Sequence, residues 1–327
     1  MVWIKLILCI LIIFFFGKNV AKYGDIIAWK TGLGRAWVGL VLLALLTSLP
    51  ELFTGISAVT LIDAPDLTIG NLFGANAFNL LNLALLDIAY RNGPLFRALS
   101  PSHRLPAWFS LSMVSIATAS VFISQFSSLG IGWIGWYTPL IILLYLIFMR
   151  AIFRFEQSQP LSKEAEHDYG EISSKNTYLY FAISAAVIIG AGLWLAMLGE
   201  EVAQVTRWRE SFVGSLLIGF ITTLPEISVS FAAMRMGALD MAVANMIGSN
   251  LFNMVIICID DLLYLNGPVL ATVSKGQLIT GLTVIAMTGI FIAGLRFRSA
   301  TFIRLSWHNS ALIVLFLLGA YFSFIFK

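Results

Sequence analysis

The chain reads as an all-α integral membrane protein, with ten transmembrane helices arranged as two inverted five-helix repeats. Three observations lead there. Of the 327 residues 59% are hydrophobic and only 11% charged, with mean hydropathy +0.90, whereas soluble domains carry about 25% charged residues. Apolar stretches of about 20 residues, the length that spans a bilayer, follow one another along the chain. Finally, one motif occurs twice. Around Glu51 it reads Val38-Gly39, then Leu46-Thr47-Ser48-Leu49-Pro50-Glu51, then Gly74-Ala75-Asn76-Ala77-Phe78-Asn79. Around Glu226 it reads Val213-Gly214, then Ile221-Thr222-Thr223-Leu224-Pro225-Glu226, then Gly248-Ser249-Asn250-Leu251-Phe252-Asn253. The copies stay in register, with Asp87 matching Asp261, Tyr90 matching Tyr264, and Asn92-Gly93-Pro94 matching Asn266-Gly267-Pro268.

The expected spans are 3–24, 36–61, 67–90, 106–124 and 131–150, then 176–198, 211–235, 240–264, 277–296 and 308–326. The first could be mistaken for a signal peptide. Only Lys5 precedes its apolar core, and Gly17 runs on into repeat-like sequence without a small-residue cleavage pattern, so it reads as a spanning helix. The polar interval 151–175 carries Arg154, Glu156, Lys163, Glu164, Glu166, Asp168, Glu171 and Lys175. It reads as a solvated cytoplasmic linker between a first unit, 1–150, and a second, 176–327. The repeated motifs occupy about 36–90 and 211–264 of these units.

Charge sets the expected orientation. With the N-terminus outside, fifteen of the 20 Lys and Arg side chains fall in inner connections, as the positive-inside rule requires. The outer side keeps Lys5, Arg207, Arg209, Lys275 and Lys327. Five spans per copy then turn the second copy upside down. The matched segments Gly17-Lys18-Asn19-Val20-Ala21 and Gly199-Glu200-Glu201-Val202-Ala203 agree, basic inside and acidic outside.

Chemistry concentrates at the two prolines. A proline within a helix removes one backbone N–H and displaces the carbonyl four residues earlier. Those carbonyls belong to Leu46 and Ile221, beside the hydroxyls of Thr47, Ser48, Thr222 and Thr223. Free polar groups at membrane depth are tolerated where they line a cavity or bind something. An ionised acid at a helix centre costs about 2.5–3.5 kcal/mol on insertion scales, yet Glu51 and Glu226 follow the prolines directly. Two acids among hard oxygen donors recover that cost by binding a divalent cation, and calcium, with its six to eight oxygens, suits the set. On the following spans Ala75 and Asn79 share a helix face, as do Ser249 and Asn253. The small residues Gly70 and Gly74, and Ala244 and Gly248, allow close helix approach. Asn71, Asn76, Asn245 and Asn250 suit helix–helix hydrogen bonding. Asp87 and Asp261 end their spans before a turn signal, and Asp260, Asp63 and Asp66 read as boundary residues. Cys9 and Cys258 have no metal-ligand spacing, and His103, His167 and His308 stand singly.

These repeats closely resemble the alpha repeats of the cation/calcium exchanger superfamily, specifically prokaryotic sodium/calcium exchangers. The family signature is Gly-Thr-Ser-x-Pro-Glu followed by Gly-Ser-Asn-x-x-Asn or Asp. The resemblance implies a central calcium site between Glu51 and Glu226, with backbone carbonyls supplied around Thr47 and Thr222. It implies flanking sodium sites using the hydroxyls of Thr47, Ser48, Thr222, Thr223 and Ser249, and a middle site at Asn79 and Asn253. The chain departs from the signature at Leu46 and Ile221, which replace its leading glycine, and at Thr223, which replaces a serine. Ala75 removes one presumed sodium ligand, and Asn253 replaces the acid of the prokaryotic pattern.

The function expected is exchange of calcium for sodium by alternating access at a shared midplane site. A proton/calcium antiporter on the same site is the alternative, and a cation channel the weaker one. Calcium and sodium, or protons, are substrates here, and no cofactor is expected. A hydrolase is excluded by the absence of any nucleophile-and-base motif in the sequence. Scattered cations argue against a nucleic-acid partner. The expected setting is a bacterial or archaeal inner membrane, with the chain a monomer or a weak homo-oligomer.

Overall fold

A computed structural model describes residues 2–127, 129–158, 173–206, 218–297 and 306–325. The first long helix, α1, runs Val2–Thr31. Next comes α2, Arg35–Thr47, which contains a π-helical turn at Val38–Leu43, and then α3, Leu49–Thr60, bent 40° from α2. The remaining long helices of the first half are α4, Pro65–Ala89; α5, Arg104–Ser124; and α6, Tyr137–Ser158. The second half begins with α7, Ser174–Thr206. It continues with the short α8, Gly219–Thr222, then α9, Leu224–Arg235, and α10, Leu239–Leu263. It closes with α11, Gly276–Arg296, and α12, Trp307–Ile325.

Among the described residues seven helices are long and apolar enough to cross a membrane, and the bent α2–α3 pair makes eight. The apolar part of α12, Trp307–Ser323, is shorter. Most of the span expected at 211–235 is present as α8 and α9, while 211–217 lies outside the described residues.

Burial grades from centre to rim. In the most apolar stretch of α10, 89% of residues are buried, and in that of α4, 72%; α6 reaches only 22% and α1 28%. The rim helices turn their large apolar side chains outward, as Ile4, Ile7, Leu11 and Phe15 do on α1. In a membrane protein such residues face lipid tails, so exposure carries no hydrophobic penalty. α4 and α10 cross at the centre, α2 and α3 pack on α10, and α11 lies between α5 and α12. The small-residue rule holds at Gly248, where a Cβ would stand 2.1 Å from the Leu40 carbonyl oxygen. Only a glycine lets α2 come this near α10.

Helices that match between the two halves run antiparallel. Lys5 Nζ lies 3.4 Å from Glu201 Oε2 at one end of the α1–α7 pair, and Lys30 Nζ donates to Ser174 Oγ at 3.2 Å near the other. Cys9, Ile13, Leu195, Leu198, Ile221 and Leu224 form a separate apolar cluster that fastens this pair to the broken helix α8–α9. Both cysteines are free thiols buried in packing.

Local chemistry accounts for three differences from expectation. Helix α6 starts at Tyr137, after a small antiparallel hairpin pairing Gly130–Ile131 with Ile134–Gly135. Gly132 takes φ 65 there, a left-handed turn that the glycine permits and a spanning helix does not. At its other end α6 continues to Ser158, well into the expected linker. Ile152 is buried and Phe153 packs on Trp37 at 5.0 Å, so tertiary contact holds these turns. The linker from 159 to 172 lies outside the described residues.

The third difference concerns the acids expected at span ends. Asp87 and Asp261 are buried, and both hold the turn that follows them. Asp87 accepts the Leu95 N–H and the Asn309 side-chain amide. Asp261 accepts the Val269 N–H at 2.7 Å, the Gly135 N–H at 2.8 Å, the Thr138 hydroxyl at 2.6 Å and the Tyr137 hydroxyl. The same residue does the same task in each half, and each is occupied by protein donors. Asp260 is no boundary residue either: it is fully buried.

Candidate functional site

Two helix breaks frame the site. Ser48 (φ −88, ψ 6) interrupts the chain between α2 and α3, and Thr223 (φ −80, ψ 0) between α8 and α9. Pro50 and Pro225 occupy the second position of the outgoing helices, where their missing N–H does least harm. The carbonyls of Leu46 and Ile221 therefore lose the partner an unbroken helix would supply. Glu51 and Glu226 stand in the first turns of α3 and α9. There the helix dipole favours negative charge, while the carbonyl ends of α2 and α8 favour cations.

Both carboxylates are buried, Glu51 at 0% and Glu226 at 1% exposure, and they lie near enough to feel each other's charge. Their hydrogen bonding differs. Glu226 Oε1 accepts the Ser48 hydroxyl at 3.1 Å and the Ser249 hydroxyl at 3.3 Å. Ser48 comes from the first copy of the motif and Ser249 from the second, so the copies interlock. Glu51 accepts from no donor through either oxygen. The cause is visible in the sequence. Ala75, the counterpart of Ser249, has no hydroxyl, and Thr223, the counterpart of Ser48, donates to Phe220 O at 3.0 Å on its own helix.

The threonines before the breaks tie the site to α4 and α10. Thr47 Oγ1 donates to Asn245 Oδ1 at 3.5 Å and lies 3.5 Å from Ser249 Oγ. Thr222 Oγ1 donates to Asn71 Oδ1 at 3.1 Å. Asn245 in turn donates to Ser230 Oγ at 3.0 Å, which joins α10 to α9.

Beyond the glutamates α4 and α10 are clasped by four asparagines. Asn79 Nδ2 donates to Asn250 Oδ1 at 3.0 Å, and Asn253 Nδ2 donates to Asn76 Oδ1 at 2.8 Å. Asn76 Nδ2 donates to the Asn250 carbonyl and Asn250 Nδ2 to the Asn76 carbonyl, at 3.4 and 3.3 Å. The clasp is two-fold, and it engages the Nδ2 of Asn79 and of Asn253 while leaving both Oδ1 atoms unpartnered. Asn76 and Asn250 thus serve helix packing, whereas Asn79 and Asn253 each keep a bare oxygen.

Eight of the nine residues expected at the site are interlinked or carry bare buried oxygens: Glu51, Glu226, Thr47, Ser48, Thr222, Asn79, Asn253 and Ser249. The ninth, Thr223, is buried at the break with its hydroxyl turned to its own helix. Glu51 Oε1 and Oε2, Glu226 Oε2, Asn79 Oδ1 and Asn253 Oδ1 are all buried without a donor. Unpaired acceptors at this depth cost several kcal/mol each, by order of magnitude, unless something positive meets them. Among the described residues no Lys, Arg or His pairs with Glu51 or Glu226. A residue the motif did not point to also borders the breaks. At Gly192 of α7 an added Cβ would fall 2.4 Å from Pro50 Cγ and 3.6 Å from Pro225 Cγ.

The profile of the sodium/calcium exchanger protein family matches residues 1–154 and 176–326, almost the whole chain and both motif copies. The chain belongs to that family. Members are transporters and not enzymes, which makes cation exchange across a membrane the activity of the family. The exchanger is similar to the inner membrane protein YrbG of Escherichia coli (strain K12), 24% identical over 256 residues, 77% of this chain and 76% of the relative. It is also similar to an uncharacterized membrane protein, MJ0091, of Methanocaldococcus jannaschii, 24% identical over 243 residues, 74% and 75% of the two chains. In fold the exchanger resembles the sodium-calcium exchanger NCX_Mj soaked with 10 mM Na+ and zero Ca2+. That match has a TM-score of 0.73 and 20% identity, over 97% of this chain and 98% of the other. The same protein soaked with 2.5 mM Na+ and 0.1 mM Sr2+ matches with TM-score 0.73 and 19% identity, over the same shares.

Proposed function

We propose that the chain is a secondary antiporter that exchanges calcium for sodium at one midplane site reached alternately from the two sides. The observation that carries this reading is the set of five buried, donor-free oxygens of Glu51, Glu226, Asn79 and Asn253. Calcium takes six to eight oxygens in flexible geometry. The two carboxylates supply a charge that one calcium ion balances, and the amide oxygens and the carbonyls near Thr47 and Thr222 complete its shell. Sodium ions occupy the hydroxyl-lined flanks at Thr47, Ser48 and Ser249 on one side and at Thr222 on the other, the Thr223 hydroxyl being turned to its own helix. Exchange is coupled because both loads neutralise the same two glutamates, so the site cannot hold them together.

Alternating access follows from ten spans in two inverted five-helix repeats, 1–150 and 176–327, joined by a cytoplasmic linker at 151–175, with the N-terminus outside. The α1–α7 pair slides over the helix breaks and exposes the site first to one side and then to the other. In a second reading protons replace sodium, favoured by the bare carboxylate of Glu51 opposite Ala75. The deciding experiment is calcium uptake by proteoliposomes of the purified protein under an imposed sodium gradient, and separately under a proton gradient. Sodium-driven uptake supports the first reading. Uptake driven by protons alone moves the chain to the second, and single-channel currents would defeat both.

A further inference from the structure

The register between the two motif copies places Asp260 opposite Leu86, so one half carries an acid where the other is apolar. Asp260 is 0% exposed. Its Oδ2 accepts the Thr68 hydroxyl at 2.7 Å, and its Oδ1 has no donor. The matched position of Thr68 is Ala242, which has no hydroxyl. On the third side stands Gly55 of α3, where an added Cβ would fall 2.5 Å and 3.0 Å from the two carboxylate oxygens. Any other residue at 55 would fill the space the carboxyl group occupies. Three helices therefore shape a pocket around one acid, and only in one half of the molecule.

Its position relates it to the ion site. Gly55 lies one turn after Glu51 on the same face of α3, and Asp260 lies two turns after Asn253 on the same face of α10. At about 1.5 Å per residue that puts Asp260 about 10 Å from the central oxygens, toward the ends where α3 and α10 finish and α4 begins. The sequence reading assigns that side to the outside.

Apart from Glu51 and Tyr264, the ionisable neighbours are each hydrogen-bonded elsewhere. Asp261 is held by four protein donors. Asp66, at the start of α4, accepts the Ser274 N–H at 2.7 Å and the Gln277 amide at 3.2 Å. Asp63 accepts the Asn266 amide at 3.3 Å. Tyr137 of α6 is bonded to Asp261. Cys258, on the preceding turn of α10, donates its thiol to Met254 O, and Glu51 lies one turn further in on α3. Tyr264 is one turn beyond on α10's end. No Lys, Arg or His pairs with Asp260 among the described residues. Beside its own two oxygens, the one side-chain oxygen hydrogen-bonded to Asp260 is the Thr68 hydroxyl, fewer than the six to eight oxygens of a calcium shell. A proton needs only the bare Oδ1.

We infer that Asp260, with Thr68 and Gly55, is a proton-binding site on one side of the ion route, loaded from the water on that side and emptied back to it. It rests on the exchanger reading for its place on a route, and the site itself can be tested without transport. The test is infrared difference spectroscopy of the full-length protein in lipid across a pH series, following the stretch of protonated carboxyl groups. A titrating component beyond those of Glu51 and Glu226 is expected in the wild type and expected to be lost in Asp260→Asn, while Asp260→Glu restores a displaced component and Thr68→Val shifts its midpoint. A band of the same amplitude in Asp260→Asn, or no titrating band left to lose, overturns the inference. Loss of the Asp260 component, the one missing in Asp260→Asn, on adding sodium at constant pH assigns the pocket to a metal cation instead and also overturns it. Calcium flux in the same vesicles separates this from the exchanger reading. Absent flux in the wild type defeats that reading, while the band decides Asp260 alone. Should Asp260→Asn fail to fold, the Thr68→Val shift still decides, because it removes only a hydroxyl.

Discussion

Replacing Ala75 by serine adds the hydroxyl that the first copy of the motif lacks. Glu226 accepts two hydroxyls, at 3.1 and 3.3 Å, and Glu51 accepts none. By the two-fold relation between α4 and α10, a serine at 75 faces Glu51 as Ser249 faces Glu226. An additional oxygen on that flank offers sodium one more ligand and gives Glu51 a partner. A hydrogen bond to a charged group contributes about 1.5–3 kcal/mol. Position 75 is fully buried, so the added atom costs about 1 kcal/mol in packing. That bond and the packing cost are present with and without sodium, so the shift rests on the added ligand alone: a ligand worth about 1.4 kcal/mol to the bound ion lowers the half-saturating sodium concentration about tenfold. The assay is sodium-dependent calcium efflux from proteoliposomes at graded sodium. Ser249→Ala is the mirror variant and is expected to raise the half-saturating concentration by a similar factor. Sodium dependence unchanged in Ala75→Ser, with normal calcium flux, refutes the idea that this flank binds sodium. A shift for Ser249→Ala alone would confine the sodium site to the other half.

Three further outcomes follow from the geometry. Asp261→Ala strands four donors and is expected to cost about 3 kcal/mol or more, read as a lower melting temperature, while calcium affinity of the folded fraction is unchanged. Equal thermal stability would show that the span-end clamp is unimportant. Gly192→Val places bulk against Pro50 and Pro225 and is expected to stop transport while calcium binding survives; transport at the wild-type rate would mean that α7 does not move over the breaks. His103 contacts Asp240 at 2.6 Å as Gln277 contacts the matching Asp66 at 3.2 Å. His103→Gln is therefore expected to leave stability within about 0.5 kcal/mol and His103→Ala to cost about 1–3 kcal/mol. Equal melting temperatures for the two variants would contradict that equivalence.

The parts of the site that the sequence shows are those whose chemistry is out of place in a membrane. Paired Pro-Glu elements and amide-rich spans stand out against an apolar background, and the register between copies identifies Ala75 as the missing hydroxyl. The bare state of Glu51 could be anticipated from that, since nothing else in the first copy replaces Ser249. The orientation of Thr223 could not, because a threonine hydroxyl that can return to its own helix carbonyl looks the same in sequence as one that faces an ion. Gly192 is not legible in the sequence, because one glycine in an apolar helix carries no sign of what crosses it. Asp260 looks interfacial in the sequence, beside Asp261 at a span end, and only the packing of Gly55 and Thr68 shows it to be enclosed. The hairpin before α6 was legible in retrospect from Gly130, Gly132 and Gly135, but the apolar residues between them imitate the start of a span.

The central claim is that calcium and sodium compete for one site built on Glu51 and Glu226. Equilibrium binding of radioactive calcium to the purified protein, with sodium as competitor, tests it most directly in the wild type, Glu51→Gln and Glu226→Gln. The account predicts saturable calcium binding to the wild type that sodium displaces, and loss of that binding in each single variant. Calcium binding that survives either substitution, or that sodium leaves untouched in the wild type, contradicts a shared two-glutamate site.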